Sequence, residues 1–232
     1  MTGNFLRHTL LVAGKDLRIE GRSREVLYTM AFSAALVVLV FSFALSNAAD
    51  PAQGPIVAAG VLWAATLLTG TVALGRVLDR ERENEAIRAL LLSPVPRSAI
   101  YAGKLIAVFL LMLAVEVAVV VLVSVLFSTE VFAHPGYLAL VLMLGTLGFA
   151  ATGVVFSAAL LRSRSRDALL GALLFPIVIP ALLAASRATA CMFDPLAPDL
   201  QPVLFWLRFL FATDVVYIAL GLWLFEPVVC GD

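Results

Sequence analysis

The sequence predicts an all-α integral membrane protein with six spanning helices. Hydrophobic residues make up 62% of its 232 residues, whereas soluble proteins contain about 45–50%. Charged residues make up only 14%, against about 25% in soluble proteins, and the mean hydropathy is +1.03. This composition excludes a disordered chain, a coiled coil, a disulfide scaffold and a nucleic-acid-binding protein.

Six apolar runs are each long enough to cross a bilayer, which requires about 20 mostly apolar residues. The runs are 27–45, 55–75, 105–127, 137–161, 168–186 and 203–225. Because they are continuously apolar rather than alternating, they favour helices over the strands of a barrel. Residues 1–232 therefore form a single transmembrane domain.

The distribution of Lys and Arg predicts how the chain crosses the membrane. Fourteen of the sixteen cations lie in residues 1–26, 76–104 and 162–167. Since cytoplasmic loops carry the excess of Lys and Arg, both termini are expected in the cytoplasm. Cys191 and Cys230 then lie on opposite sides of the membrane and cannot pair within one molecule.

Residues 5–19, ahead of the first apolar run, show the periodicity of an amphipathic helix. The apolar members are Phe5, Leu6, Leu10, Leu11, Leu17 and Ile19, and the charged members are Arg7, Lys15, Asp16 and Arg18. We expect segment 1–26 to be a cytoplasmic segment with an interfacial helix on the membrane surface. The alternative is an ordinary charged leader before the first span.

Segment 76–104 is the longest hydrophilic stretch, and it is expected to face the cytoplasm. Its first half is densely charged, and residues 90–92 form a leucine triplet. Pro94 disfavours helix at Ser93, and Ser98 is placed to cap the next helix. The pattern predicts a short coupling helix that docks a cytoplasmic partner, although a solvated loop is the alternative. The docking candidates are Arg80, Glu81, Glu83, Glu85, Arg88, Leu90, Leu91 and Pro94.

Three ionisable residues lie inside the predicted spans, namely Glu116, Arg208 and Asp214. Such residues are costly in a bilayer and are functional-site candidates by default. Six residues correspond to about 600° around a helix, so Arg208 and Asp214 are poor partners for each other. The structural alternative is that one of them pairs with Glu116. Arg208 could also extend to the interface, and Asp214 could face the bundle interior or a two-fold interface.

Pro176 and Pro180 each remove a backbone donor from the fifth span, which predicts a kinked or discontinuous helix. Such a break can line a transport pathway or be a simple bend. In the fourth span, Gly145, Gly148 and Gly153 provide a face of small residues for close helix packing.

No catalytic or metal-binding motif is present. The sequence has no Gly-rich phosphate-binding loop, no zinc-ligand cluster and no nucleophile elbow. His8 and His134 are expected at opposite faces of the membrane, so one copy offers no bis-histidine haem site. We therefore expect no catalytic activity in this chain, no metal site and no directly bound cofactor.

Three stretches of the chain resemble a known family. Residues 15–25, residues 80–96 with Lys104, and residues 146–180 are similar to ABC-2 type permeases. Within that group, the sequence most resembles the haem exporter permease of cytochrome c maturation, the CcmB family. The most specific feature is Thr146-Leu147-Gly148-Phe149 followed by the double-proline span, and the sixth span matches weakly.

Some positions depart from the family pattern. Glu85-Ala86-Ile87-Arg88 stands where the family often has Gly-[Ser/Thr]-Leu-Glu. Glu85 weakens the case for a tight turn there, and Arg88 reverses a charge that would face the ATPase. Val108-Phe109 replaces the His-Trp of some members, so haem ligation at that position is not available.

The resemblance implies a bacterial inner-membrane half-transporter. Two copies would form the permease core, and a homodimer of a separate ATP-binding subunit would dock on segment 76–104. ATP would be bound by that partner, and haem would be the transported or handled ligand, together with haem-handling membrane proteins of cytochrome c maturation. The alternatives are an ABC-2 exporter of a lipid, drug or glycan, and a non-transporting assembly scaffold.

Overall fold

The computed structural model describes residues 2–45, 53–83, 95–131, 133–160, 166–194 and 200–230. These residues form seven helices. The helices are α1 Thr2–Ser23, α2 Glu25–Leu45, α3 Gly54–Glu83, α4 Arg97–Phe127, α5 Pro135–Ala159, α6 Arg166–Phe193 and α7 Gln201–Cys230. Six of them, α2 to α7, are long and apolar enough to cross a membrane, which confirms the predicted all-α membrane fold.

Helix α1 meets α2 at a sharp turn. Arg24 adopts the left-handed conformation with φ 55°, which separates the two helices. The carboxylate of Glu20 accepts a hydrogen bond of 2.9 Å from the backbone N–H of Leu27 and so satisfies one free donor at the start of α2. Helix α1 then packs mainly against α4, with Val12 and Ala13 buried. Its position on the membrane surface stays a prediction.

Helix α4 begins earlier than its apolar run. Its first residue is Arg97, and Pro96 occupies the N-cap position without a side-chain cap. Ser98 therefore lies inside the first turn, and the expectation that it caps the helix is wrong. The backbone carbonyl of Pro96 accepts the first bonds, from Ala99 at 2.9 Å and Ile100 at 3.2 Å. The helix therefore starts ahead of the apolar run 105–127, with polar residues in its first turns.

Helix α5 is the most enclosed span, because α3, α4, α6 and α7 all pack against it. The small residues allow this approach. A Cβ atom at Gly145 would overlap the indole of Trp63, and one at Gly153 would overlap Leu74. At Gly148 it would overlap the carboxylate of Asp214. The prediction of a close-packing face is thus confirmed.

Helix α6 continues without interruption through Pro176 and Pro180. Of the two expectations for this span, the discontinuous helix is wrong. Neighbouring helices support the proline stretch, because the hydroxyl of Tyr217 on α7 donates a 2.6 Å hydrogen bond to the carbonyl of Ile177. Further along α6, the hydroxyl of Thr189 accepts a 3.0 Å bond from the indole N–H of Trp63 on α3.

Candidate functional site

The candidate coupling segment, residues 76–104, joins the end of α3 to the start of α4. Arg80, Glu81 and Glu83 belong to the last turns of α3 by their backbone, and their side chains lie outside the described part of the chain. The other docking candidates, Glu85, Arg88, Leu90, Leu91 and Pro94, also lie outside it. The docking helix therefore stays a prediction.

Helix α1 holds one side of the start of α4. A Cβ atom at Gly103 would lie 2.7 Å from Cβ of Val12, so the two helices are in close backbone contact there. The next residue, Lys104, is only 3% exposed, and its Nζ lies 3.7 Å from Oδ2 of Asp16. Lys15 lies 3.1 Å from the other Asp16 oxygen. Because an uncompensated buried charge is strongly unfavourable, this ion pair holds α1 against α4.

The C-terminal ends of α5 and α7 hold the other side of α4. Arg97 forms a 2.7 Å salt bridge with Glu226. The ring of Tyr101 packs against Phe225 with centroids 5.5 Å apart, and its hydroxyl donates a 3.1 Å hydrogen bond to the carbonyl of Ala151. The first two turns of α4 are thus connected to α1, α5 and α7 at once.

At the α3 end of the segment, the described side chains end at Arg76. Arg76 lies 3.6 Å from Glu25 on α2, and their side chains are 53% and 61% exposed. An exposed ion pair of this kind contributes about 0–1 kcal/mol. Leu74, two residues earlier on α3, is fully buried against Gly153 of α5, so α3 is packed up to this point and the exposed pair lies just beyond.

Glu116 lies in the bundle core and is 2% exposed. The hydroxyl of Thr146 on α5 donates a 2.5 Å hydrogen bond to Oε1 of Glu116, and Thr66 on α3 is also close to this carboxyl group. The expectation that Arg208 or Asp214 pairs with Glu116 is wrong. Arg208 lies on an exposed face of α7, where rotation of the helix points it away from the core.

Asp214 is the second buried acid and is also 2% exposed. It points from α7 onto α5 beside Gly148, which places it in the bundle interior rather than on an outer face. Among the described residues, neither of its carboxylate oxygens has a hydrogen-bond partner. Thr146 and Gly148 are about 200° apart around α5, so Glu116 and Asp214 approach this helix from opposite sides.

No metal or haem ligand set stands out among the described residues. They contain no group of three or more His, Cys, Asp and Glu side chains that could hold a metal ion. His8 lies in α1, and His134 is the N-cap of α5. Cys191 is a free thiol near the end of α6.

The sequence did not predict which residues contact one another at the start of α4. Asp16 and Lys104 both belong to stretches that resemble the family, but nothing in their separation indicates contact. No pattern in the sequence points to Tyr101. The one local signal is Gly103 directly before Lys104, since a glycine ahead of a span suggests a close approach by another backbone.

The sequence profile of the CcmB protein family matches residues 7–226. The chain belongs to the CcmB family. The match extends from α1 to the last turns of α7. It therefore includes the residues of α1, α5 and α7 that contact the start of α4, and it includes Glu116 and Asp214. No curated protein matches the chain significantly.

Family membership establishes the broad role of the protein. A CcmB protein is the membrane component of an ABC-type haem export system for cytochrome c maturation. It is a transmembrane permease component rather than a catalytic enzyme, and the family implies partnership with an ATP-binding subunit. The six apolar helices make this chain a multi-pass membrane protein, of the bacterial inner membrane as the family indicates.

Proposed function

We propose that this protein couples ATP hydrolysis in a separate subunit to haem transfer, or to release of a haem-loaded chaperone, during cytochrome c maturation. ATP binds the partner subunit, and the chain has no cofactor of its own. The observation that carries the proposal is the firm attachment of the start of α4 to α1, α5 and α7. A movement of the coupling segment that shifts the start of α4 is therefore passed on to α1, α5 and α7.

The partner docks on segment 76–104. Its two nucleotide states contact the segment differently, because a conformational change requires a difference in interaction free energy between states. Helix α1 follows α4, since the buried Lys104–Asp16 pair and the contact at Gly103 join them. In this proposal the α3 end changes its distance from α4, and the exposed Arg76–Glu25 pair contributes little against that movement.

Both termini lie in the cytoplasm in this proposal, and two copies of the chain form the permease core opposite an ATPase homodimer. The cation distribution supports the orientation. The exposed apolar faces of α2 and α7 leave room for a second copy, and for the haem-handling proteins of the maturation system.

Replacing both Leu90 and Leu91 with Asp tests the docking assignment. We expect the variant to insert normally but to lose the ATP-binding subunit in a gentle-detergent pull-down, because two buried carboxylates would oppose an apolar contact. Arg22→Asp, at an exposed site on α1, serves as the cytoplasmic control. Recovery of the ATP-binding partner at wild-type stoichiometry from the Leu90/Leu91 variant would overturn the assignment.

One observation favours a role in releasing a haem-loaded chaperone over an ionic path through the protomer. Glu116 and Asp214 reach α5 from opposite sides and do not form one polar route. A non-transporting scaffold, in which ATP times the release of a loaded chaperone, is therefore the second candidate. Full c-type cytochrome assembly in both Glu116→Ala and Asp214→Ala would support it, whereas loss of assembly in both stably inserted variants would favour a path.

A further inference from the structure

A cleft of about 850 Å³ lies between α2, α3 and α6, at the end of the bundle from which the coupling segment leaves α3. Helices α2 and α6 each pack closely against α3 but not against one another, so α3 forms the floor and the other two form the walls. The cleft consequently opens sideways between α2 and α6, toward the surrounding membrane.

Among the described residues that line the cleft, Arg76 is the cationic one. Arg76 lines it at the end of the α3 span, and its 3.6 Å pair with Glu25 leaves the guanidinium half-exposed. Guanidinium groups donate several hydrogen bonds and suit phosphate oxygens. Basic pockets between spanning helices on the cytoplasmic side are typical sites for lipid head groups.

The other polar side chains in the described part of the lining, Thr29 and Thr71, are acceptors. The hydroxyl of Thr29 donates to the carbonyl of Glu25 at 2.8 Å, and that of Thr71 donates to the carbonyl of Leu68 at 2.7 Å. A hydroxyl has one proton to donate, so each retains only its acceptor capacity. The carboxylate of Glu25 beside Arg76 accepts as well.

The two prolines of α6 each leave one backbone carbonyl of the preceding turn without its helical donor. Pro176 has no N–H for the carbonyl of Ala172, and Pro180 has none for the carbonyl of Pro176. Both Ala172 and Pro176 line the cleft. The remaining described lining is largely apolar, with Val72 and Phe175 partly exposed and available to acyl chains.

We propose that this cleft binds a membrane phospholipid whose headgroup carries both a phosphate and a hydrogen-bond-donating amine, as in phosphatidylethanolamine. The phosphate pairs with Arg76. The ammonium group donates to the surrounding acceptors, namely Glu25, the threonine hydroxyls and the proline-freed carbonyls. The acyl chains follow the apolar wall between α2 and α6. On the proposed orientation, the lipid belongs to the cytoplasmic leaflet.

Native mass spectrometry of the delipidated full chain tests the headgroup assignment with three lipids of identical acyl chains. Phosphatidylethanolamine and phosphatidylcholine share charge and phosphate, but only the first has N–H donors. We expect phosphatidylethanolamine to bind about tenfold more tightly, the equivalent of one charge-assisted hydrogen bond. Equal binding of these two lipids, or tighter binding of phosphatidylglycerol than of phosphatidylethanolamine, would overturn the proposal.

Two variants locate the binding. Arg76→Gln should reduce phosphatidylethanolamine binding about tenfold, whereas Arg22→Gln, which removes the same charge on the same side, should leave it unchanged. Ala172→Trp should fill the cleft and abolish binding, and Leu173→Trp, on an exposed site of the same helix, should not. Unchanged binding in Ala172→Trp contradicts the site.

A second copy of the chain is the competing occupant. In a background with Cys191→Ser and Cys230→Ser, Ala172→Cys should form no disulfide between protomers in native membranes, because lipid fills the cleft. Efficient cross-linking at this position would show that the partner protomer covers it and would overturn the lipid assignment.

Discussion

The two ends of the coupling segment are built differently. At the α4 end, a buried lysine, a close glycine contact and an aromatic pair attach the helix to α1, α5 and α7. At the α3 end, the described contact nearest the segment is one exposed ion pair. At the described positions, buried groups hold the α4 end, whereas the ion pair at the α3 end is open to solvent.

The largest difference in unfolding free energy is expected when one cation is removed at each end of the coupling segment. Lys104→Met should cost about 3 kcal/mol of unfolding free energy, because it leaves Asp16 in a mostly buried position with Lys15 as its remaining cation. Arg76→Met should cost about 1 kcal/mol or less. Denaturation of the purified variants in detergent measures both, and equal costs would remove the contrast.

A double-mutant cycle sharpens that result. If Lys104 and Asp16 stabilise each other, adding Asp16→Asn to Lys104→Met should cost less than the sum of the two single changes. Additive losses would show that the two groups do not interact.

The glycine contact should have the next largest effect. Gly103→Ala forces α1 away from α4, since the new Cβ meets Val12, and overpacking of this kind costs about 1–3 kcal/mol. Gly60→Ala is the matched control, because a Cβ there meets nothing within 4 Å and alanine is the better helix former. Thermal unfolding should shift in opposite directions, and equal shifts would contradict the close contact.

Substitutions of Glu116 test whether this buried acid has only a structural role. Glu116→Ala should cost about 1–3 kcal/mol, because it leaves the Thr146 hydroxyl buried without its acceptor. Glu116→Gln keeps an acceptor and should cost less, with c-type cytochrome assembly close to wild type. Loss of assembly in a stable Glu116→Gln variant would show that the carboxylate itself is required.

The smallest effect is expected at the exposed Arg97–Glu226 pair. Arg97→Gln should change the unfolding free energy by about 0–1 kcal/mol despite the 2.7 Å distance, since solvent and salt screen the charges. A loss above about 2 kcal/mol, well beyond the range of exposed pairs, would place this pair among the main attachments of α4.

The spans were predictable because hydrophobicity is a local property of the chain. A run of about 20 apolar residues crosses a bilayer whatever its neighbours are. The start of α4 at Arg97 was not visible in the same way, since a helix can continue beyond the hydrocarbon core with polar residues. The continuity of α6 through Pro176 and Pro180 depends on neighbouring helices, which hydropathy does not report.

Pairing inside the bundle could not be predicted from spacing. The sequence places Glu116 inside an apolar run, but its partner Thr146 depends on how α4 and α5 are rotated against each other. The same rotation decides that Asp214 faces the interior while Arg208 on the same helix is exposed. The coupling segment remains the part of the candidate site for which sequence is the main guide.

The most direct test of coupling through α4 measures distances in the complex with the ATP-binding subunit. Pairs of spin labels at Leu11 and Leu110, and at Arg76 and Leu110, report the α1–α4 and α3–α4 separations, with the native cysteines replaced and labelled protomers diluted in unlabelled ones. We predict that the Leu11–Leu110 distance is the same with and without ATP while the Arg76–Leu110 distance changes. A nucleotide-dependent Leu11–Leu110 distance with a constant Arg76–Leu110 distance would contradict this coupling.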